Sequence, residues 1–382
     1  MSFLENLYQR FEAKIASLLL SPKWKTKVVI IATVAILLSF FNNISPLRHF
    51  GDFYTTVVKE KHEYFLYQTI KDRATSFTYN WTYPEFTGMN NRTFRLTMPA
   101  FVKVLHIEYV SIVLYGFQLI LGIIFLYMLI NFLERTLSDK TSIFYAVLGI
   151  VSTYMGAAFF IDIATYGDFF CYFTLFLAIY YRNPLLIFIF LSLAFWGDER
   201  AIVGSGMVFL WWWFVPQWKE NKPFKIQINL QMLAVVAAWI AYGAIRKFYL
   251  VDKLGMHDTT KPGEFAEMFG GSWPVWGFKF LWVFEGWWLL IILAFMFLYN
   301  AKDWLRLLAI LGALFAMLVG SLTTFDSTRS GSYGIIAIFL TLVIAQKYLT
   351  EKELKVILLV IAIICFLHPM ASRTNGTGFF LM

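Results

Sequence analysis

The sequence predicts an all-α polytopic membrane protein with about eleven transmembrane helices and a cytoplasmic N-terminus. Three observations predict it. The 382 residues are 59% hydrophobic with a mean hydropathy of +0.64, more apolar surface than a soluble domain of this length can hide. Apolar runs near the length of a bilayer crossing, about 20 residues, recur along the chain. The Lys and Arg residues between those runs fall unevenly on the two predicted sides.

The first 26 residues form one unit. Phe3, Leu4, Leu7, Phe11, Ile15 and Leu18 recur at helical spacing, with Arg10, Lys14, Lys23 and Lys25 among and after them. That pattern predicts an amphipathic helix on the cytoplasmic leaflet, not a cleavable leader. Ser2 and Glu5 are spaced as a capping box. Residues 27–382 form a single transmembrane domain with no soluble domain and no internal repeat.

Its predicted spans are 27–43, 107–132, 142–161, 169–181, 184–197, 201–217, 229–247, 280–299, 304–323, 333–349 and 355–370. The pair 169–181 and 184–197 is short, with Asn183-Pro184 as the turn. Read as a re-entrant pair, it lowers the count to nine. Residues 44–106 and 248–279 are long outer loops. Apolar residues at helical spacing in 53–66 and 94–105 predict interfacial helices in the first.

With the N-terminus inside, half of the 32 Lys and Arg fall in short cytoplasmic segments. On the outer side most lie in the two long loops, which the positive-inside rule discounts. The formal charge of +8 therefore reads as membrane topology, and no nucleic-acid partner is expected. Cys171 and Cys365 lie in apolar runs without metal spacing.

The carboxylates carry the functional signal. Asp162, Asp168, Asp198, Glu199 and Asp326 sit at the outer tips of spans, where an ionisable group is costly unless paired or wet. They point to one outward-facing polar chamber. Gly51-Asp52-Phe53-Tyr54 follows the first span, and Asp52 reads either as a general base toward a hydroxyl or as a solvated or capping aspartate. Arg92 and Arg95 read as phosphate ligands, whose oxygens match the guanidinium fork, or as headgroup contacts. Gly197-Asp198-Glu199-Arg200 and Asp326-Ser327-Thr328-Arg329 read as site residues or as ion pairs closing a turn or helix start. Asp162 and Asp168 read equally as helix caps. The five histidines make no paired spacing, and no glycine-rich nucleotide motif or nucleophile elbow occurs.

These features together resemble the GT-C superfamily of integral membrane glycosyltransferases. The matching elements are a first span, an outer loop opening with Gly51-Asp52-Phe53-Tyr54, the Tyr83-Pro84-Glu85-Phe86 segment and the Arg95 to Pro99 stretch. Gly197-Asp198-Glu199-Arg200-Ala201 and Asp326 with Arg329 complete the match. The resemblance implies transfer of a sugar from a polyprenyl-phosphate donor to a glycan, lipid or protein acceptor. The active site would face the periplasm or exterior of a bacterial inner or plasma membrane.

It also implies roles. Asp52 would be the base, and Arg95, Arg200 or Arg329 would neutralise the leaving lipid phosphate. Asp162, Asp168, Glu199 and Asp326 would bind sugar hydroxyls or hold the arginines. The chain departs from better-known members in lacking a soluble C-terminal domain and a second acidic pair beside Asp52. No cofactor is assigned, and a divalent metal stays open with no residue pattern supporting it. The competing readings are a transporter or flippase of a lipid-linked glycan, a membrane polysaccharide polymerase, and an acyltransferase using His106 or His368.

Overall fold

In the computed structural model, which describes residues 3–41, 44–79, 92–163, 167–219, 227–257, 281–322 and 327–367, every regular element is helical. The amphipathic start is α1 (Phe3–Leu19), whose Ile15 and Leu19 are buried, and it leads into α2 (Trp24–Phe41). The Ser2 of the expected capping box lies outside the described residues.

The described residues of the first long loop hold three α-helices: α3 (Ile44–Phe53), which widens into π-helical turns over Tyr54–Lys59, α4 (Phe65–Thr75) and α5 (Thr97–Val104). The expected helix over 53–66 is broken near its end. Lys61 takes a left-handed φ of 58°, and the chain then turns so that Glu63 reaches the start of α6 (Val110–Leu133). Its carboxylate accepts from Val110 N (2.9 Å), Ser111 N (2.8 Å) and the Ser111 hydroxyl, and Lys71 Nζ stands 3.1 Å away. A helix N-terminus has unsatisfied N–H groups; here they are satisfied by a residue almost fifty positions earlier. Burial pushes the Glu63 pKa up, but these hydrogen bonds outweigh it, and the net shift is downward.

The chain then runs through α7 (Lys140–Val151), α8 (Tyr154–Ile161), α9 (Asp168–Tyr180), α10 (Pro184–Gly197), α11 (Arg200–Lys219) and α12 (Leu230–Ala244). The last continues as π-helical turns over Ile245–Lys253. After the second long loop come α13 (Trp287–Asn300), α14 (Trp304–Leu322), α15 (Ser327–Gly331), α16 (Ile336–Tyr348) and α17 (Glu351–Leu367). Asn183 caps α10 through Leu185 N at 2.9 Å, and Asp139 and Asn229 cap α7 and α12. Residues 169–181 and 184–197 are thus two separate antiparallel helices.

Among the described residues three helices are long and apolar enough to cross a membrane: Val110–Leu133, Leu230–Lys253 and Trp304–Ser321. The number rises to five when two bent pairs count as one span each. Those pairs are α7 with α8, bent by 67°, and Thr328–Gly334 with α16, bent by 46°. Shorter apolar helices α9, α10 and α13 pack among them. Phe125, Phe159, Phe176, Trp287 and Phe339 are fully buried at the core, while Ile120 and Phe315 point outward at 61% and 69% exposure. Apolar residues on both the inner and outer faces of the bundle are what a lipid-solvated protein requires.

Contacts sort the helix ends into two groups. At the lysine end, Lys25 pairs with Glu134, Lys355 with Glu12, and Ser138 faces Glu351. Lys140 sits over Trp24, and Arg306 and Lys347 over Trp218. Arg135 donates to Tyr180 O and Gln231 to Arg182 O, which places the α9–α10 turn and the start of α12 there too. The opposite end gathers the termini near residues 95, 168, 198 and 329.

A candidate anion site built on a buried arginine–carboxylate network

At that opposite end the sequence places charges where apolar helices stop, and the fold draws them together. Gly197 closes α10 against α9: a Cβ there would stand 2.4 Å from Cys171 Sγ. Asp198 follows, and its carboxylate accepts from the Arg200 backbone N (2.9 Å) and Nε (2.8 Å), with Arg200 Nη2 on its second oxygen. The turn between α10 and α11 is therefore tied by the charged residues that the sequence lists consecutively.

The network spreads from Asp198. Arg95 Nη1 lies 2.7 Å from Asp198 Oδ2, and its Nε and Nη2 hold Glu199 in a two-point contact at 3.2 and 3.0 Å. Arg200 Nη2 also reaches Asp168 Oδ1 at 3.2 Å, and its Nη1 donates to Ser330 Oγ at 2.6 Å. Arg329 Nε stands 3.2 Å from Asp168 Oδ2, and the Tyr333 hydroxyl donates to Asp168 Oδ1 at 2.9 Å. Tyr172 donates to Arg329 O at 2.7 Å, and the Arg200 guanidinium lies over the Tyr333 ring. Residues 160 positions apart in sequence meet because α9, α10, α11 and α15 all end here.

Burial sets the electrostatics. Asp168 and Asp198 are fully buried and Arg95 is 5% exposed. Burial alone would raise the Asp198 pKa, but Arg200 and Arg95 overcome it and hold the carboxyl well below the ordinary carboxylate range. Burial would lower the Arg95 pKa, and Asp198 and Glu199 raise it instead. Three guanidinium groups thus face three carboxylates, a charge-balanced cluster in a setting where an unbalanced one is costly.

The segment bringing Arg95 to the cluster docks by backbone contacts. Leu96 N donates to Trp196 O at 2.7 Å and Thr97 Oγ1 to Leu193 O at 2.9 Å, laying α5 across the end of α10. Met98 of α5 packs on Gly167, whose φ of +90° turns the chain into α9. Arg92 is buried at the head of this segment, its carbonyl accepting from Arg95 N.

The remaining expected residues stand elsewhere. Asp162 is half-buried at the end of α8, where its side chain accepts from the Tyr154 hydroxyl and its carbonyl accepts from Gln118 Nε2 at 2.8 Å. Tyr154 meets Tyr172 edge-on, so one aromatic layer separates this pair from the network. Asp52 is exposed on α3, with no side-chain partner among the described residues. Its neighbour Phe53 packs inward among Tyr64, Tyr67 and Tyr115. Asp326 lies outside the described residues. Asp168 opens α9 but spends its carboxylate on arginines, not on a cap.

Several contributors were not among the expected site residues. Tyr333, Tyr172 and Ser330 sit in or beside apolar runs, and Ser330 directly follows Arg329. Gln118, an amide in the middle of the run 107–132, was a visible signal. Glu285 is 7% exposed with neither carboxylate oxygen hydrogen-bonded, at a left-handed φ of 48° before α13. Arg73, at 2% exposure on α4, is likewise buried. Among the described residues no three His, Cys, Asp or Glu side chains converge as metal ligands would.

No family model, no curated protein and no solved structure matches this chain.

Proposed function

We propose that the chain is an integral-membrane glycosyltransferase of the GT-C kind. It moves a sugar from a polyprenyl-phosphate donor to a glycan, lipid or protein acceptor at the network end of the bundle. In this reading the chain crosses a bacterial inner or plasma membrane about eleven times, with the lysine end cytoplasmic and the network end outside.

The observation that carries the reading is the gathering of Arg95, Arg200 and Arg329 with Asp168, Asp198 and Glu199 at one end. That end is also where α5 lies across the end of the apolar helix α10. Preorganised donors in a water-poor site stabilise charge that develops on a leaving phosphate. A donor anchored by an apolar chain reaches such a site sideways from lipid. Asp52 supplies the base: exposed, and with no side-chain partner among the described residues, its carboxylate can take a proton from an acceptor hydroxyl.

The test is transfer by purified protein from polyprenyl-phosphate sugars to candidate acceptors. Wild type should consume the donor, and Asp52→Asn should transfer roughly 10²–10⁴-fold more slowly, the range expected for loss of a general base. Undiminished transfer by Asp52→Asn removes the assignment of the base. Failure of wild type to consume any lipid-linked sugar removes the enzyme.

A second reading, transport of a lipid-linked glycan, has its own observation. The pairs bent by 67° and 46° are broken helices, which often build transport sites. Movement of a lipid-linked glycan across reconstituted vesicles without sugar transfer would favour it.

A further inference from the structure

The network just described has no spare charge. Each of its three arginines faces a carboxylate. Those donors can answer charge that develops during transfer, but a phosphate held at rest would compete with the carboxylates already on them. A buried cation with no carboxylate near it among the described residues is the better resting receptor, and Arg73 is such a cation.

Arg73, near the C-terminal end of α4, is 2% exposed. Its Nη1 donates to Thr93 O at 2.9 Å, and its Nη2 makes no hydrogen bond. No carboxylate among the described residues lies within ion-pair distance of it. Its chain neighbour Asp72 accepts from Gln68 and carries Thr75 on its carbonyl, while the Glu63 carboxylate holds Lys71 and the start of α6. A guanidinium does not escape burial by losing its proton, as a lysine or a carboxyl can. An unneutralised one persists where an anion completes it.

The surroundings say which kind of anion. Thr93, which Arg73 holds, sits between Arg92 and Arg95 in a tight turn closed by Arg95 N on Arg92 O at 3.0 Å. Arg73 and Arg95 thus attach to one turn, and Arg95 is held there by Asp198 and Glu199. A guanidinium with a donor to spare suits the clustered oxygens of phosphate. Lys71, two residues before Arg73, donates to Glu108 O at 2.7 Å beside the end of α5, where Val104, Leu105 and Tyr109 present apolar side chains at 73%, 55% and 67% exposure. An apolar tail can lie there while its headgroup turns inward.

We propose that Arg73 binds the phosphate of a lipid-linked ligand whose chain runs along the exposed apolar surface at the end of α5. This deepens the reading given above and rests on it for the prenyl nature of the chain. It adds a resting contact for the phosphate at Arg73 to the charge stabilisation that the paired arginines supply during transfer.

The experiment uses the full chain in nanodiscs of neutral phosphatidylcholine. Binding is measured for farnesyl phosphate, farnesol, inorganic phosphate and phosphatidylglycerol. Farnesyl phosphate should bind roughly tenfold or more tightly than farnesol, the size of one charge-assisted contact. Arg73→Gln keeps a donor for Thr93 O but removes the charge, and should erase that preference. Arg73→Met should erase it too, and without ligand should melt at or above wild type, because it removes a buried uncompensated charge.

A phosphate preference that survives in folded Arg73→Gln overturns the proposal, as does a ligand-free Arg73→Met that melts far below wild type. Equal binding of phosphatidylglycerol assigns the site to bulk headgroups, and equal binding of inorganic phosphate to a free anion. Either overturns the prenyl part. Farnesyl phosphate binding that depends on Arg73, in a protein that transfers no sugar, would leave this site standing while the enzymatic reading falls.

Discussion

The two ends of the bundle are built from the same residue types and use them in opposite ways. At the lysine end, Lys25 and Glu134 pair with side chains 33% and 36% exposed, and Lys355 and Glu12 meet at a similarly wet surface. At the network end, Asp168 and Asp198 are wholly buried and bind arginines instead of lysines. An exposed pair gains little because water already solvates both charges. A buried pair is costly to assemble, and its partners cannot be removed singly without leaving a charge stranded. Arginine's planar fork lets one guanidinium serve two carboxylates, as Arg200 does for Asp198 and Asp168, where a lysine would offer a point charge. The difference teaches that ionic contacts count by burial and by reach: the Arg306–Asp303 pair at the lysine end is also largely buried but joins residues three apart, whereas the network end ties distant helices together.

Removing Asp198 should break the comparison most sharply. Asp198→Ala leaves Arg95 and Arg200 buried and short of charge, and should destabilise the protein by about 3–5 kcal/mol. Thermal unfolding in detergent would show it, and a loss no larger than at the lysine end would erase the distinction. The pH dependence sharpens it further. The Asp198 pKa is depressed in the folded state, by Arg200 and Arg95 working against burial. Its stabilisation is therefore fully present above the ordinary carboxylate range, and is lost as pH falls below that range toward the depressed value. The wild-type melting temperature should drop in strong acid by more than that of Asp198→Asn, which has no such carboxylate to protonate.

Glu63 is intermediate, because it is partly buried and divides its bonds between two backbone N–H groups and the Ser111 and Lys71 side chains. Glu63→Ala strips the start of α6 of its acceptor and should cost about 1–2 kcal/mol, as capping losses do. Loss of amide-exchange protection at Val110 and Ser111 would locate the effect. Unchanged protection there would show that the cap contributes nothing.

How much of this was legible in the sequence follows the same physics. The helical nature of the chain and the span tips were visible, because charges abutting apolar runs stand out against their background. Asp168, Asp198, Glu199, Arg200 and Arg329 were named on that ground and lie in one network. Tyr172 and Tyr333 were not, since a single hydroxyl on an aromatic ring disappears inside an apolar run. Arg73 was hidden for the opposite reason: in a polar loop, one more charge carries no contrast, and only the fold reveals that it is buried. The bend after Val151 left no trace either, because no proline marks it and the composition on both sides is apolar, whereas the bend at Ile335 falls where the polar, glycine-containing stretch 328–334 meets an apolar run. The helix expected over 53–66 failed at its end because Glu63 serves a distant N-terminus, a demand no local pattern records.

The smallest effect is expected at the lysine end, and its smallness is informative. Lys25→Ala removes the pair with Glu134 and a hydrogen bond to Asn131. With both charged groups one-third exposed, water takes over each of them, and the loss should be about 0.2–1 kcal/mol. What remains should fade in salt, since about 10 Å of screening length at 0.1 M already covers the pair. The Asp198→Ala loss should persist in the same salt, because ions do not enter a buried cluster. Measuring both variants at low and high ionic strength separates the two ends by mechanism as well as by size. A Lys25→Ala loss that matched Asp198→Ala and resisted salt would mean that the lysine end is held by its charges after all.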